Sequence, residues 1–186
     1  MKKKTLLFML FIIFALLYAG YYIDTKIIKS FTTSTASACT IVEEVDENAI
    51  ISDWIMKKSY RISRKTANGI VDTAMSTDCG LLLIAIASRE SSFSPTAVSK
   101  KGAIGLNQIM PGVWVETLKE QGIIEERKDL FDYDKSLLAS EYILTYYYKQ
   151  TGSWQLALKK YVGGHHKSYT KDVFATYGEL QLLLED

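Results

Sequence analysis

The sequence predicts a mainly α-helical domain held behind a single N-terminal transmembrane helix. Three observations carry this. Residues 5–23, TLLFMLFIIFALLYAGYYI, contain no charged side chain. From about Ala49 onward, apolar residues recur at helical spacing. No segment shows the two-residue alternation of a half-buried strand. Composition agrees: 48% hydrophobic residues with only 2 Pro and 11 Gly mark an ordered globular chain. Its 186 residues suffice for one domain and an appendage.

Taken in order, residues 1–4 form a basic tail, with lysines at 2 to 4. The uncharged run that follows would rise roughly 28 Å as a helix, close to the ~30 Å hydrocarbon thickness of a bilayer. Basic residues before the span keep the tail cytoplasmic and put everything after residue 23 outside, in the periplasm or on the wall side of the membrane. An uncleaved signal-anchor is the reading preferred. The alternatives are cleavage near Ala36-Ser37-Ala38, which lies 15 residues beyond the apolar run, or lipid attachment at Cys39, which lacks the preceding Leu. Residues 24–48 mix Ser, Thr and acids and read as a juxtamembrane linker, with helical character near its end. Cys39 and Cys79 lie on the outer side, where a disulfide is permitted; two separate thiols are an equal alternative.

The domain proper spans 49–186. Ile50, Ile51, Trp54 and Ile55 make one apolar helical stripe. Ser63 caps a second helix through Ile70, Val71 and Met75. The run CGLLLIAIASRESSF makes a third, which Pro95 is expected to stop. Residues 96–110, with Gly102 and Gly105, read as loops or a small irregular hairpin. Pro111 opens a helix through Trp114 and Leu118. After a turn at Gly122 and a polar stretch, Asp134 caps a long helix through Tyr148. GSWQLALKKY makes a further helix ended by Gly163-Gly164. The tail, 168–184, is helical in pattern.

Net charge is +1 overall, but it divides. Residues 1–30 carry five Lys and one Asp, and the remainder carries 17 basic and 20 acidic side chains, a balance of −3. No basic stripe appears beyond the anchor, which excludes nucleic acid as the expected partner. Adjacent His165 and His166 lack a third ligand at metal spacing, so neither metal nor cofactor is expected.

One residue breaks the pattern. Glu90 follows Leu83, Ile86 and Ala87 by seven, four and three positions, which puts a carboxylate on the apolar face of its helix. Partial desolvation raises the pKa of such a group and suits it to protonate a poor leaving group such as a glycosidic oxygen. A surface carboxylate paired with Lys or Arg is the ordinary alternative for one isolated glutamate.

The residues around Glu90 favour the first. Glu90-Ser91, Phe93, Pro95, Ala97, Ser99, Gly102-Ala103, Gly105-Leu106, Gln108 and Met110-Pro111, ungapped over 22 residues, closely resemble the catalytic core of the soluble-lytic-transglycosylase (SLT) family. That family is a branch of the lysozyme-like superfamily, related to the goose-type lysozymes. WQLALKKYVGG, from Trp154 to Gly164, resembles a second family block, in which a Trp-containing helix leads to Ala-Tyr-Asn-x-Gly. The resemblance covers about residues 60 to 166. Three positions depart from it: Asn107 where Met is frequent, Lys160 for a small residue, and Val162 for the Asn after Tyr161.

The resemblance implies a lysozyme-like α fold and a peptidoglycan glycan substrate. Glu90 would protonate the β-1,4 bond from N-acetylmuramic acid to N-acetylglucosamine. As carboxylate it would then accept the C6 hydroxyl proton while a 1,6-anhydro ring closes. Ser99 and Gln108 match positions that hydrogen-bond the sugar, Met110 and Tyr161 positions that line the cleft, with the Tyr161 hydroxyl able to reach Glu90 or an N-acetyl group. A Gln satisfying loop backbone and a Tyr at the core edge are the plain alternatives. Gly102 and Gly105 are read as letting backbone approach the glycan.

Two-carboxylate glycosidases place their acids about 5 to 10 Å apart, whereas no Asp or Glu lies between Glu90 and Glu116. Asp129, Asp132 and Asp134 are read as loop or cap residues. The rival activities are a goose-type hydrolase with water as nucleophile, and a non-catalytic peptidoglycan-binding assembly protein. Wall turnover, division, phage entry and clearing for secretion or conjugation machinery are all roles open to such a chain.

Overall fold

The structure, a computed structural model, describes residues 46–60, 62–164 and 168–185. The chain divides into two units, 1–44 and 45–186, and every described residue lies in the second. The expected transmembrane helix at 5–23, nearly all of the linker, Cys39 and the His165-His166 pair lie outside the described residues. Among the described residues no helix is long and apolar enough to cross a membrane.

Seven α-helices are described: α1 Glu47–Lys58, α2 Arg64–Met75, α3 Gly80–Ser91, α4 Pro111–Glu120, α5 Tyr133–Thr151, α6 Trp154–Tyr161 and α7 Tyr169–Glu185. A 3-10 helix, Arg127–Phe131, precedes α5. No strand occurs among the described residues. Side-chain caps start four of the helices: Asp46 accepts from Ala49 N–H, Ser63 from Thr66 N–H, Asp132 from Asp134 N–H and Ser153 from Leu156 N–H. Each such cap contributes about 1 kcal/mol by satisfying a donor that the helix itself cannot.

Two boundaries differ from the sequence reading. α1 begins at Glu47, taking in the end of the expected linker, because Asp46 supplies the cap. The cap of α5 is Asp132, which leaves the Asp134 carboxylate to accept the Thr73 hydroxyl and bind α5 to α2.

The end of α3 differs in its cause. Ser92 and Phe93 both take left-handed backbone, with φ of 51° and 64°, so the chain turns before Pro95. Such conformations cost roughly 1 kcal/mol each in residues with a Cβ. Burial of the Phe93 ring, edge-on to Trp54 at 6.0 Å, offsets them.

Apolar residues gather into two clusters. The larger joins α1, α2, α3, α5, α6 and α7 around Ile55, Ile70, Leu83, Ile86 and Phe93. The smaller joins α4, the 3-10 helix and part of α5 through Leu118, Leu130 and Ile143. Tyr147 and Tyr161 border both. The three consecutive tyrosines of α5 thus separate: Tyr148 stacks on Trp154, Tyr147 sits between the clusters, and Tyr146 is exposed beside Trp114.

Residues 96–110 run between the clusters as the irregular hairpin expected, with isolated bridges Val98–Ile104 and Ile104–Ile109. Gly105 is required there, but against the protein's own backbone. A Cβ on it would stand 1.9 Å from the Leu130 carbonyl, and its φ is +81°. Gly105→Ala is therefore expected to cost about 2 kcal/mol or more, whereas Gly112→Ala, with open space and helical backbone, should be neutral or stabilising by up to about 1 kcal/mol. Thermal unfolding of the two variants checks the contrast.

Candidate active site

Glu90 occupies the last turn of α3, half-buried, on the face where Leu83, Ile86 and Ala87 are fully buried. Its Oε1 accepts a 2.6 Å hydrogen bond from the Tyr169 hydroxyl of α7. Its Oε2 has no hydrogen-bond partner among the described residues. Burial raises the Glu90 pKa above the ordinary carboxylate value; the bond from Tyr169 and, more weakly, the Arg89 charge pull the other way. Desolvation wins because Arg89 is directed elsewhere, to Asp172 at 3.5 Å. Tyr169, almost fully buried and beside a carboxylate, has its pKa pushed far up, so it serves as a fixed donor. No second carboxylate acts on Glu90 among the described residues.

Ser91, the next residue, ties the helix end to the hairpin. Its hydroxyl donates to the Leu106 carbonyl at 2.6 Å and accepts from Ser94 N–H at 3.1 Å. Within the hairpin, Ser99 Oγ accepts from Ala103 N–H at 2.9 Å, closing a turn and keeping its own hydrogen for a ligand. Gln108 sits at φ 51° with both amide hydrogens on backbone carbonyls, Ala97 at 3.2 Å and Gly105 at 2.9 Å. The backbone-satisfying reading of Gln108 therefore holds for its nitrogen, and its oxygen makes no hydrogen bond among the described residues. Met110 is exposed at the start of α4. Gly102, at φ +87°, faces open space.

Tyr161 has a different job from the one expected of its hydroxyl. The group donates to the Asn107 carbonyl at 2.8 Å and lies 2.9 Å from Ser140 Oγ; it makes no hydrogen bond to Glu90, whose charge nonetheless acts on it. Burial raises its pKa strongly. Asn107, fully buried, makes two further bonds: its N–H donates to Ser136 Oγ and its Nδ2 to the Leu83 carbonyl. Val162 packs against the larger core.

The other acids are occupied. Asp129 accepts from Glu125 and Glu126 N–H, Asp132 caps α5 and Asp134 holds Thr73. Cys79 is a half-buried free thiol whose pKa is pushed up to about 12 by burial and by Glu141 and Asp78, which makes it a poor nucleophile. A cavity of about 510 Å³ beside α5, lined by Asp78, Glu141 and Tyr142, involves none of Glu90, Ser99, Gln108, Met110 or Tyr161.

Sequence reasoning missed Tyr169 and Asn107. Tyr169 carries a signal in retrospect: it precedes Val173 by four positions and opens the buried stripe of the last helix. Nothing in the spacing pairs it with a glutamate 79 residues earlier.

The family model "Transglycosylase SLT domain" matches residues 63–176, a span that takes in Glu90, the hairpin, Tyr161 and Tyr169. No curated protein sequence matches the chain. Among solved structures, the 70 kDa soluble lytic transglycosylase SLT70 from Escherichia coli is similar, with a TM-score of 0.58 and 21% identity over 73% of this chain. The match covers 29% of that protein, so the present chain spans less than a third of it; the likeness is one of fold.

Two titrations follow from the site. Tyr169→Phe removes the bond that opposes desolvation, so the Glu90 pKa should rise further, as followed by NMR of its carboxyl carbon. A carboxyl whose folded-state value is raised adds stability only at low pH and loses it as pH rises through that value. Glu90→Gln should therefore raise Tm at neutral pH, and the gain should vanish below roughly pH 4, where the carboxyl is neutral even when unfolded.

Proposed function

The chain belongs to the transglycosylase SLT domain family, and from that membership we propose that it is a membrane-anchored peptidoglycan lytic transglycosylase with Glu90 as its one acid and base. The bond cut is the β-1,4 link from N-acetylmuramic acid to N-acetylglucosamine. The observation that carries the reading is a half-buried carboxylate whose Oε1 is held by Tyr169 while Oε2 has no hydrogen-bond partner among the described residues.

Oε2 is then the proton-transfer atom. Protonated Glu90 gives its hydrogen to the glycosidic oxygen as the bond to C1 breaks. The carboxylate so formed faces an oxocarbenium-like sugar and is stabilised through Oε1 by the Tyr169 hydrogen bond. The C6 hydroxyl of the same muramic acid attacks C1, its proton returns to Glu90, and the 1,6-anhydro ring closes. The substrate supplies the nucleophile, which agrees with the absence of a second carboxylate acting on Glu90. Ser99, the Gln108 oxygen, Met110 and the ring of Tyr161 would line the glycan cleft.

Anchoring is part of the proposal and rests on the uncharged run 5–23. It would hold the domain on the outer side of the cell membrane, where the wall lies.

The test is incubation of the full chain, in mild detergent, with purified sacculi, followed by mass spectrometry of the released muropeptides. Anhydro-muramyl products are expected, with Glu90→Gln slower by about 10² to 10⁴-fold. Reducing-end products would convert the reading to a hydrolase; sacculus binding without any product would convert it to an assembly protein. Because activity needs Glu90 protonated in its first step, burial should carry the alkaline limb of the rate profile above the ordinary carboxylate range. Tyr169→Phe should move that limb higher still.

A further inference from the structure

We propose that an open groove of about 690 Å³ beside Met110 is a carboxylate-binding subsite for the peptide branches of peptidoglycan. This rests on the glycan-cleaving reading above and extends it from the sugar to its substituent.

Cations from three separate elements converge on the groove: Lys101 from the hairpin, Lys119 from α4 and Arg127 from the 3-10 helix. One acid, Glu116, also lines it, 3.7 Å from Lys119. Lys101 and Arg127 make no ion pair among the described residues. That sets Arg127 apart from Arg64 and Arg89, which pair with Asp53 and Asp172. Nor is the positive groove a by-product of a basic domain, since residues 31–186 carry 17 basic and 20 acidic side chains. Two cations without an ion pair among the described residues, both lining one groove in a domain with surplus acid, fit an anionic ligand.

The kind of anion follows from position. Met110 belongs both to the groove and to the residues assigned to the glycan, so a group entering here would hang from the sugar chain. Each muramic acid carries, through its lactyl ether, a short peptide bearing several free carboxylates. Arginine meets a carboxylate with two parallel N–H donors, and lysine adds a mobile point charge. Met110 and Val115 supply apolar surface for the methyl groups of the peptide's alanines.

The experiment compares the full chain with Lys101→Gln/Arg127→Gln on two substrates: intact glycan strands, and strands stripped of peptide by an amidase. For wild type, loss of the peptide should raise KM about tenfold, the size expected for one or two charge-assisted contacts partly screened by water. The double variant should show that higher KM on both substrates, with kcat unchanged. Its rate on intact strands should also be less sensitive to salt. Equal losses of the variant on both substrates, or unchanged KM on intact strands, would overturn the subsite. Titration of a soluble stem tetrapeptide against both forms gives an answer independent of cleavage: binding to wild type alone supports the subsite, and equal or absent binding overturns it. If wild type releases no anhydro product, the catalytic reading fails by itself, and the peptide titration still decides the groove.

Discussion

Withdrawing a carboxylate from water is unfavourable, and the surroundings of Glu90 are organised around that constraint. The buried stripe Leu83, Ile86 and Ala87 places the group at the boundary of the core, where its charged form is penalised. One helix then sets how large the penalty is. Tyr169 and Asp172 stand three positions apart on α7, hence on one face. Tyr169 donates to Glu90, while Asp172 draws off the Arg89 guanidinium that would otherwise neutralise its neighbour. The same helix thus stabilises the carboxylate through Tyr169 and pairs with the neighbouring cation through Asp172. What results is an acid that is raised but still able to ionise, as a group that both gives and takes a proton requires.

The hairpin facing Glu90 is held by a second device, centred on Asn107. This residue joins α3 through the Leu83 carbonyl, α5 through Ser136 and α6 through Tyr161. Its Oδ1 is buried with no hydrogen-bond partner among the described residues, a cost of about 1–3 kcal/mol that the other bonds must exceed. Here two of the three departures from the family pattern take physical meaning. A polar amide lies under the hairpin at 107, and an apolar side chain, Val162, covers the core after Tyr161. Tyr161 bolts the tyrosine turn to the hairpin backbone, so its hydroxyl contributes to the site through position.

Much of this was legible in the sequence, for reasons that differ by residue. Helices α2 and α4 announce themselves through Ser63 and Pro111, since capping and N1 chemistry act within one turn. The burial of Glu90 was readable from the 3.6-residue period because the face it shares is so consistently apolar. Its partner was not, because the Tyr169 contact spans 79 residues and depends on the docking of a whole helix. Resemblance assigned Gln108 to the glycan, but only the folded hairpin shows that its nitrogen serves the loop backbone. The stop of α3 misled for a related reason: Pro95 is a strong local signal, yet a buried aromatic at Phe93 decides where the chain turns.

The distance along the chain between Glu90 and Tyr169 also has a meaning in time. A ribosome delivers Glu90 long before it delivers the final helix, and until α7 docks the carboxyl has neither its donor nor its separation from Arg89. A nascent chain therefore holds the acid in an untuned form, and truncation anywhere before residue 169 leaves it so. The Glu90 site is, by this arrangement, completed only when the last helix of the described fold has been made.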